Sequence, residues 1–518
     1  MKRNSPVKKT LNFFYDRYFY LPALSAVLMG LSRYPIKLNF LTFFALIPLL
    51  YLYDKSVELS WSKTVKAALI YSTTYTLVTL YWISVVTLPG FFGLFILFGF
   101  YFIILFRVLA KLYSHLPRLK YLSFVLVWLS FEYLQNFGQL RFPWFNIGYA
   151  IAEYTSLIQL AEVGGVFILS TLIIVINILL FYSLRYFPLK KSLISLISAL
   201  LIILVWSIGG HIRKKTIELE KTPLKAAIVQ VSIPQDLKWS ESFFDETMKL
   251  YRKYSLQAAA SNPDLIIFPE AAIPDYVLKN SKTKAFMQRL VEETRTPIFL
   301  GLPHYEIEKV GESFAYRYYN ATTLFDSNAT PLSPYYKRIL VPFGERIPFM
   351  EFIPFLGEID LGQANWEYGK ENVYFPINHK EQAYRFSSVI CFEIAFPKLL
   401  TEIVQQDTDF IVNVTNDGWF KKTVGPYQHA MMTVIRAVEN RKQIYRAANT
   451  GISIVVDPLG NIKQKTKLYE KSTIEEYLYV YNQDSLYTKT FHRVPKYVLI
   501  LTLALFSWTI INSFSIKK

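Results

Sequence analysis

Three residues able to do acyl chemistry stand directly against apolar runs. Cys391, the only cysteine of the chain, ends the run in RFSSVICFEIAFP, and Glu270 follows the run in LIIFPEAAIP. Lys337 opens the apolar stretch of PYYKRILVPFGERIP, whose Gly/Pro-shaped loop carries Glu345. A carboxylate at the end of a buried strand is desolvated and so more basic. A thiol between a strand end and a helix start meets unpaired backbone N–H groups, which predicts a lowered pKa. Taken singly, each residue also reads as structural: a packed cysteine, a strand-end carboxylate, a solvated lysine. Together they supply what attack on an acyl carbonyl needs, namely a nucleophile, a base for its proton and a cation for the oxyanion. No histidine is required, which separates this set from Cys/His pairs.

The elements that must position these residues begin at Leu224, where short β-branched runs alternate with amphipathic helices. LKAAIVQVS, DLIIFPE and PIFLGLP read as strands, as do Arg317 to Phe325, Tyr384 to Ile390, Asp409 to Val414 and Ile452 to Asp457. Helices are predicted at Glu241 to Ala260, Thr283 to Glu293, Lys398 to Gln406 and Pro426 to Lys442. This is the pattern of a layered α/β domain.

The order Glu270, Lys337, Cys391 in the contexts FPEAAIP, YYKRILVPFGE and VICFE, with NVTNDGWF and RAANTG beyond it, resembles the nitrilase superfamily. That resemblance implies a four-layer α-β-β-α sandwich. With the apolar spans on either side it narrows to the apolipoprotein N-acyltransferase family, and it covers nearly the whole chain. It implies that Cys391 takes a fatty acyl chain from a phospholipid and passes it to the α-amino group of a diacylglyceryl-modified N-terminal cysteine. Glu270 is then the general base and Lys337 the oxyanion partner. Glu345 is implied as a second carboxylate, Glu393 as support for the nucleophile loop, and Trp239 in DLKWSES as a phospholipid contact. Asn416 and Trp419 match the NDxWF stretch beside the site. Phe392 stands where the best-known members carry Tyr, so a hydroxyl there is not essential to this chain. The implied partners are a phospholipid and a diacylglyceryl lipoprotein, with no cofactor and no metal. The rival reading is a membrane-anchored amidase or nitrilase, in which water replaces the amine.

The rest of the chain fits a lipid-facing enzyme. Over 518 residues it is 52% hydrophobic with a mean hydropathy of +0.24, too apolar for one ordinary soluble domain. Stretches near the length needed to cross about 30 Å of hydrocarbon begin near Phe19, Leu38, Val65, Phe91, Leu122, Ser156, Leu193 and Val498, so about eight spans are expected. Expected bounds are 1–210 for a bundle of about seven spans, 211–490 for the catalytic domain and 491–518 for a last span.

Every second loop is basic: Lys2, Arg3, Lys8 and Lys9; Lys55, Lys63 and Lys66; Arg107, Lys111, Arg118 and Lys120; Arg185, Lys190 and Lys191; Lys517 and Lys518. The positive-inside rule then puts both termini in the cytoplasm and the catalytic domain outside it, which under the resemblance is the periplasmic side of a bacterial inner membrane. The first apolar segment lacks an A-x-A-like site and reads as a span rather than a cleaved signal. The net charge of +17 belongs to these loops, and no nucleic-acid-binding signature accompanies it. Glu132 and Glu162 fall near span ends, and the aromatic loop Gln139 to Ala150 suits the outer interface. The segment from Phe349 to Tyr374 mixes large apolar residues with glycines and carboxylates, and reads as a lid over lipid chains. Nothing in the sequence asks for more than a monomer.

Overall fold

The computed structural model describes residues 16–54, 60–353, 355–356, 365–405 and 407–515. The basic N-terminal stretch, Lys55, the middle of the expected lid and the final two lysines lie outside the described residues. What is described divides into two compact units. One comprises the residues up to Asn136, Pro143–Arg213 and those from Arg493 on; the other comprises Phe137–Phe142 and Lys214–His492.

The first unit is helical: Arg17–Leu31, Ile47–Asp54, Trp61–Leu80, Leu88–His115, Lys120–Leu134, Ala161–Arg185, Lys190–Thr216 and Val494–Ser515. Among the described residues, four segments are long and apolar enough to cross a membrane: Leu88–His115, Leu157–Arg185, Lys190–Thr216 and Phe491–Asn512. The expected eight are thus supported in part. Arg17–Leu31 and Lys120–Leu134 are fifteen residues each, Asn39–Asp54 is broken between a 3₁₀ turn and a helix, and Trp61–Leu80 is diluted by Lys63, Lys66 and its hydroxyl residues. Several polar side chains inside the unit hydrogen-bond one another or the backbone, which an apolar setting favours. Asn177 accepts from Leu46 N at 2.8 Å and donates to Thr42 O at 2.9 Å, and Ser130 Oγ meets Thr502 Oγ1 at 2.8 Å. Neither carboxylate near a span end is a bare solvated charge. Glu132 is buried and accepts from Ile147 N at 2.8 Å, and Glu162 takes two hydrogen bonds from Arg213, at 2.6 and 3.1 Å.

The second unit is built on twelve strands: β1 Glu220–Gln230, β2 Leu265–Ile267, β3 Ile298–Val310, β4 Ser313–Phe325, β5 Tyr335–Tyr336, β6 Tyr374–His379, β7 Gln382–Ile390, β8 Phe410–Thr415, β9 Gln443–Ala448, β10 Ile454–Val456, β11 Ile462–Lys465 and β12 Ser472–Val480. They form two six-stranded sheets, ordered β12-β1-β2-β3-β4-β5 and β11-β10-β9-β8-β7-β6. The period of two along each strand decides the layers. Leu224, Ala226 and Ile228 of β1 join Phe299, Phe386, Phe410, Val412 and Tyr445 in one apolar core between the sheets. Their alternates Ala227 and Val229 face outward, onto Tyr251 of helix Glu241–Ala259 and Met287 and Leu290 of helix Ser281–Thr294. Helix Gly425–Asn440 packs on β9 and β10 at the second sheet. The layers therefore run helix, sheet, sheet, helix. The expected strands and helices all fall on observed ones; β5, β6, β9, β11 and β12 were not foreseen.

Candidate functional site

The three residues singled out above meet where strands of both sheets end. Glu270 lies just past β2, Lys337 just past β5 in the same sheet, and Cys391 just past β7 in the other. All three sit on turns, because a strand end is where a side chain can leave the apolar layer while its backbone stays fixed.

Glu270 is buried, with both oxygens engaged: Asn320 Nδ2 donates to Oε1 at 2.7 Å and Asn416 N to Oε2 at 2.8 Å. Lys337 is fully buried; its Nζ lies 2.7 Å from Glu345 Oε1 and 3.7 Å from Glu270 Oε1. Burial alone would lower the lysine pKa, but Glu345 and then Glu270 outweigh it and hold the ammonium charged, well above its ordinary value. Glu345 also accepts from Asn320 Nδ2 at 3.0 Å and from Val341 N at 2.9 Å. One Asn320 amide thus bridges the two carboxylates.

Cys391 is half-buried and its φ of 51° is left-handed, a conformation that costs a non-glycine residue about 1–3 kcal/mol. The turn that follows is a five-residue 3₁₀ segment, Cys391–Ala395. Here the expectation of a lowered thiol pKa is corrected. Burial pushes the thiol up, Glu270 adds to the rise, and Lys337 offsets only part of it. A short turn among carboxylates does not act as a helix N-terminus, so the resting group is a thiol and its proton has to be taken during attack.

Glu393, also buried, binds the nucleophile turn to the lysine loop. It accepts from Ile390 N at 2.7 Å on one side, and from Arg338 N at 2.7 Å, Ile339 N at 3.0 Å and Tyr335 Oη at 2.9 Å on the other. Asn416, besides its backbone bond to Glu270, donates to Gln235 Oε1 at 2.7 Å and accepts from Asn449 Nδ2 at 3.2 Å. Phe392 is buried with its ring 5.7 Å from that of Phe142 and 5.0 Å from that of Phe396, an apolar seat in which a hydroxyl would find little to do. Trp239 and Trp419 are 53% and 36% exposed. Of the expected lid, Phe352 and Phe355 are exposed at 77% and 63%, while Trp366 N and Gly369 N donate to Glu345 O and Lys337 O and pin the far end.

A second buried group was missed in the sequence, where no histidine was assigned a part. His429 Nε2 donates to the Cys391 carbonyl oxygen at 3.1 Å, and its Nδ1 lies 2.9 Å from Asp417 Oδ1. Arg446 donates to Asp417 Oδ2 at 2.8 Å and to Asn413 Oδ1 at 2.6 Å. Burial would raise the Asp417 pKa, but Arg446 and His429 outweigh it and hold the group at about 2. Arg436, two turns beyond His429 on the same helix, donates to Ile394 O at 3.0 Å and so holds the other end of the turn. Cys391, Asp417 and His429 have potential ligand atoms within 4.8 Å of one another. The fit to a metal is poor, since Asp417 is already engaged and the Arg446 cation touches it. The network instead locks the nucleophile backbone. A buried triplet of Asp, His and Arg drawn from a 3₁₀ turn, a helix and a strand leaves no local sequence signal.

The whole arrangement can deprotonate a thiol, hold an acyl group on it and stabilise an oxyanion beside a fixed cation. A carbon-nitrogen hydrolase family model matches residues 225–477, and a model of the apolipoprotein N-acyltransferase N-terminal domain matches residues 25–179. The apolipoprotein N-acyltransferase of Geobacter metallireducens is 32% identical over 71% of this chain and 70% of its own length. That of Chlorobaculum tepidum is 27% identical over 95% of this chain and 96% of its own. Among solved structures, an amidase from Nesterenkonia sp. is similar at 14% identity with a TM-score of 0.38, over 54% of this chain and 98% of that one.

Proposed function

Because the chain belongs to the apolipoprotein N-acyltransferase family, we propose that it moves a fatty acyl chain from a membrane phospholipid, through a thioester on Cys391, to the α-amino group of a lipoprotein's diacylglyceryl cysteine. The observation that carries this reading is the buried Lys337 ammonium lying between Glu270 and Glu345, at the strand ends where Cys391 also sits.

Glu270 takes the thiol proton as Sγ attacks the ester carbonyl, and Lys337 faces the oxyanion. Collapse breaks the ester C–O bond, and the lysophospholipid oxygen leaves with the proton from Glu270. The amine then attacks the thioester, Glu270 accepts its proton, and the C–S bond breaks to return that proton to sulfur. Glu345 fixes the ammonium, Glu393 and Asn416 fix the turns, and exposed Trp239 and Trp419 contact the lipid substrates. The match to an N-acyltransferase N-terminal domain favours this over a membrane-anchored amidase.

Both substrates carry acyl chains that resist leaving the bilayer at about 0.8 kcal/mol per CH₂, so the site has to work at its surface. Exposed Phe352 and Phe355 suit a lid against lipid. The same reading takes the bundle as eight spans of the bacterial inner membrane, the shorter helices included. Both termini are then cytoplasmic and the catalytic unit, working as a monomer, periplasmic, as the alternating basic loops support.

The test is to incubate the purified chain with acyl-labelled phospholipid and look for a hydroxylamine-sensitive adduct, then for transfer to a diacylglyceryl peptide. An unlabelled wild type, or equal labelling of Cys391→Ala, overturns the thioester route. Labelled enzyme that releases only free fatty acid in the presence of the peptide overturns the transfer.

A further inference from the structure

The turn that leads into Trp239 carries a residue that the steps above do not use. Lys238 closes the four-residue helix Gln235–Lys238 and is 1% exposed, whereas Trp239 beside it stands in the open. Lys238 Nζ donates to the backbone carbonyl oxygen of Glu270 at 3.0 Å, and among the described residues it has no carboxylate in ion-pairing range. Burial pushes this ammonium down to about 8, with the Glu270 charge opposing.

The other end of the same helix is also attached to the base. Gln235 Oε1 accepts from Asn416 Nδ2 at 2.7 Å, and Asn416 N donates to Glu270 Oε2 at 2.8 Å. One short turn therefore grips Glu270 twice, at its carbonyl through Lys238 and at its carboxylate through Asn416. A buried ammonium whose protein acceptor is one backbone carbonyl is a poor device for stability, because burying a charge is repaid only where a counter-charge pairs with it. An apolar side chain of the same length would pack there at less cost.

We propose that Lys238 is a positioning residue for the Glu270 base, and that the Gln235–Lys238 turn is the lever through which a phospholipid seated on Trp239 aligns the Glu270 carboxylate. This rests on reading Glu270 and Cys391 as base and nucleophile. Trp239 and Lys238 share a peptide unit, so a contact that orders the indole also orders the ammonium. A ligand shifts a conformation only by binding one arrangement better than another, and Trp239 supplies that difference.

The experiment uses the full chain in detergent micelles with phosphatidylethanolamine carrying a labelled palmitoyl group, and reads single-turnover thioester formation against lipid concentration. Lys238→Met keeps the length of the stem and removes the charge. It is expected to slow thioester formation at saturating lipid by about tenfold, the factor that one hydrogen bond is worth. Half-saturation should stay within about twofold, which marks an effect on the chemical step. Lys238→Arg should recover most of the rate. Trp239→Ala should lose rate as well, and the double variant should lose no more rate than Lys238→Met alone, since one lever is cut once. Gln235→Leu severs the second attachment without touching a buried charge and should slow the same step, so the proposal does not hang on one variant folding. Wild-type rates in Lys238→Met and Gln235→Leu, beside a wild type that labels normally, overturn this proposal alone. Strictly additive losses in the double variant overturn the lever. A wild type that forms no thioester overturns the acyl-transfer reading and this proposal with it.

Discussion

A single methyl group added at Gly301 tests how tightly the base is placed. Gly301 in β3 runs against the Glu270 turn, and a Cβ there would lie 2.6 Å from Glu270 Cα, 3.0 Å from Ala271 N and 3.1 Å from Pro269 O. All three are backbone atoms, so no side chain can rotate out of the way. Ordinary contact begins at 3.4 Å, so the closest pair at 2.6 Å has to open by about 0.8 Å. β3 cannot give, because it pairs with β2 on one side and with β4 along its whole length on the other. The displacement therefore falls on the Glu270 turn, which is tied to this strand by Gly301 N to Pro269 O at 3.2 Å and Ala272 N to Gly301 O at 2.9 Å. Misplacing a reacting group by about 1 Å costs on the order of 100-fold in rate. Overpacking of this kind costs about 1–3 kcal/mol in stability, small enough for the domain to fold. Gly301→Ala should thus form the thioester about 100-fold more slowly at saturating phospholipid, with half-saturation little changed. The assay is quenched-flow labelling from acyl-labelled lipid, with thermal unfolding recorded in parallel. A folded Gly301→Ala that acylates within about threefold of wild type refutes the reasoning, since a base that tolerates such a shift was not precisely placed.

The same assay checks the rest. Asn320→Asp replaces the amide that bridges Glu270 and Glu345 with a third carboxylate beside one lysine, and should lower thioester formation by about two orders of magnitude, with partial recovery on acidification. Glu393→Gln leaves an amide NH₂ facing a backbone N–H and should cost about 2–4 kcal/mol in chemical denaturation. Burial and Glu270 raise the Cys391 pKa, so iodoacetamide labelling without substrate should climb about tenfold per pH unit from neutrality to about pH 9 with no plateau. A plateau below about pH 8 would show a thiolate at rest. The sign for stability follows: a thiol raised by folding contributes fully below its unfolded pKa of about 8.5, and that contribution is lost as pH climbs past it.

The chemistry was legible because the three key residues abut apolar runs, where a strand ends and a side chain can be both fixed and reachable. Their grouping needed only that the runs be strands of one core. Of what surrounds them, Glu345, Glu393 and Asn416 came only through the family resemblance, and the rest was not legible. Asn320 sits inside β4 in an ordinary alternation, and only the register of the turns past β2 and β5 brings it between two carboxylates. His429, Asp417 and Arg446 come from three separate elements. The direction of the thiol shift was misjudged, because a helix start was assumed where the chain makes a short turn at a left-handed Cys391, among carboxylates that sequence spacing does not bring near. Strands escaped notice for local reasons: β5 is two residues long, β6 carries Pro376, β11 is mostly polar, and the apolar run of β12 is broken by the adjacent Glu475 and Glu476. In the helical unit, apolar runs located the helices, whereas length and hydroxyl content decided how many can span.

The Glu393 clamp has a mechanical consequence. Its donors are Tyr335 in the edge strand of one sheet, Arg338 and Ile339 in the loop that follows it, and Ile390 at the end of a strand of the other sheet. A slip of one sheet over the other by even a fraction of an ångström would strip these bonds and separate the lysine from the sulfur in the same motion. The sandwich is in effect bolted at the reacting centre. Under the acyl transfer proposed above, the give needed to admit two bulky lipids in turn therefore has to come from the loops at the rim rather than from the core.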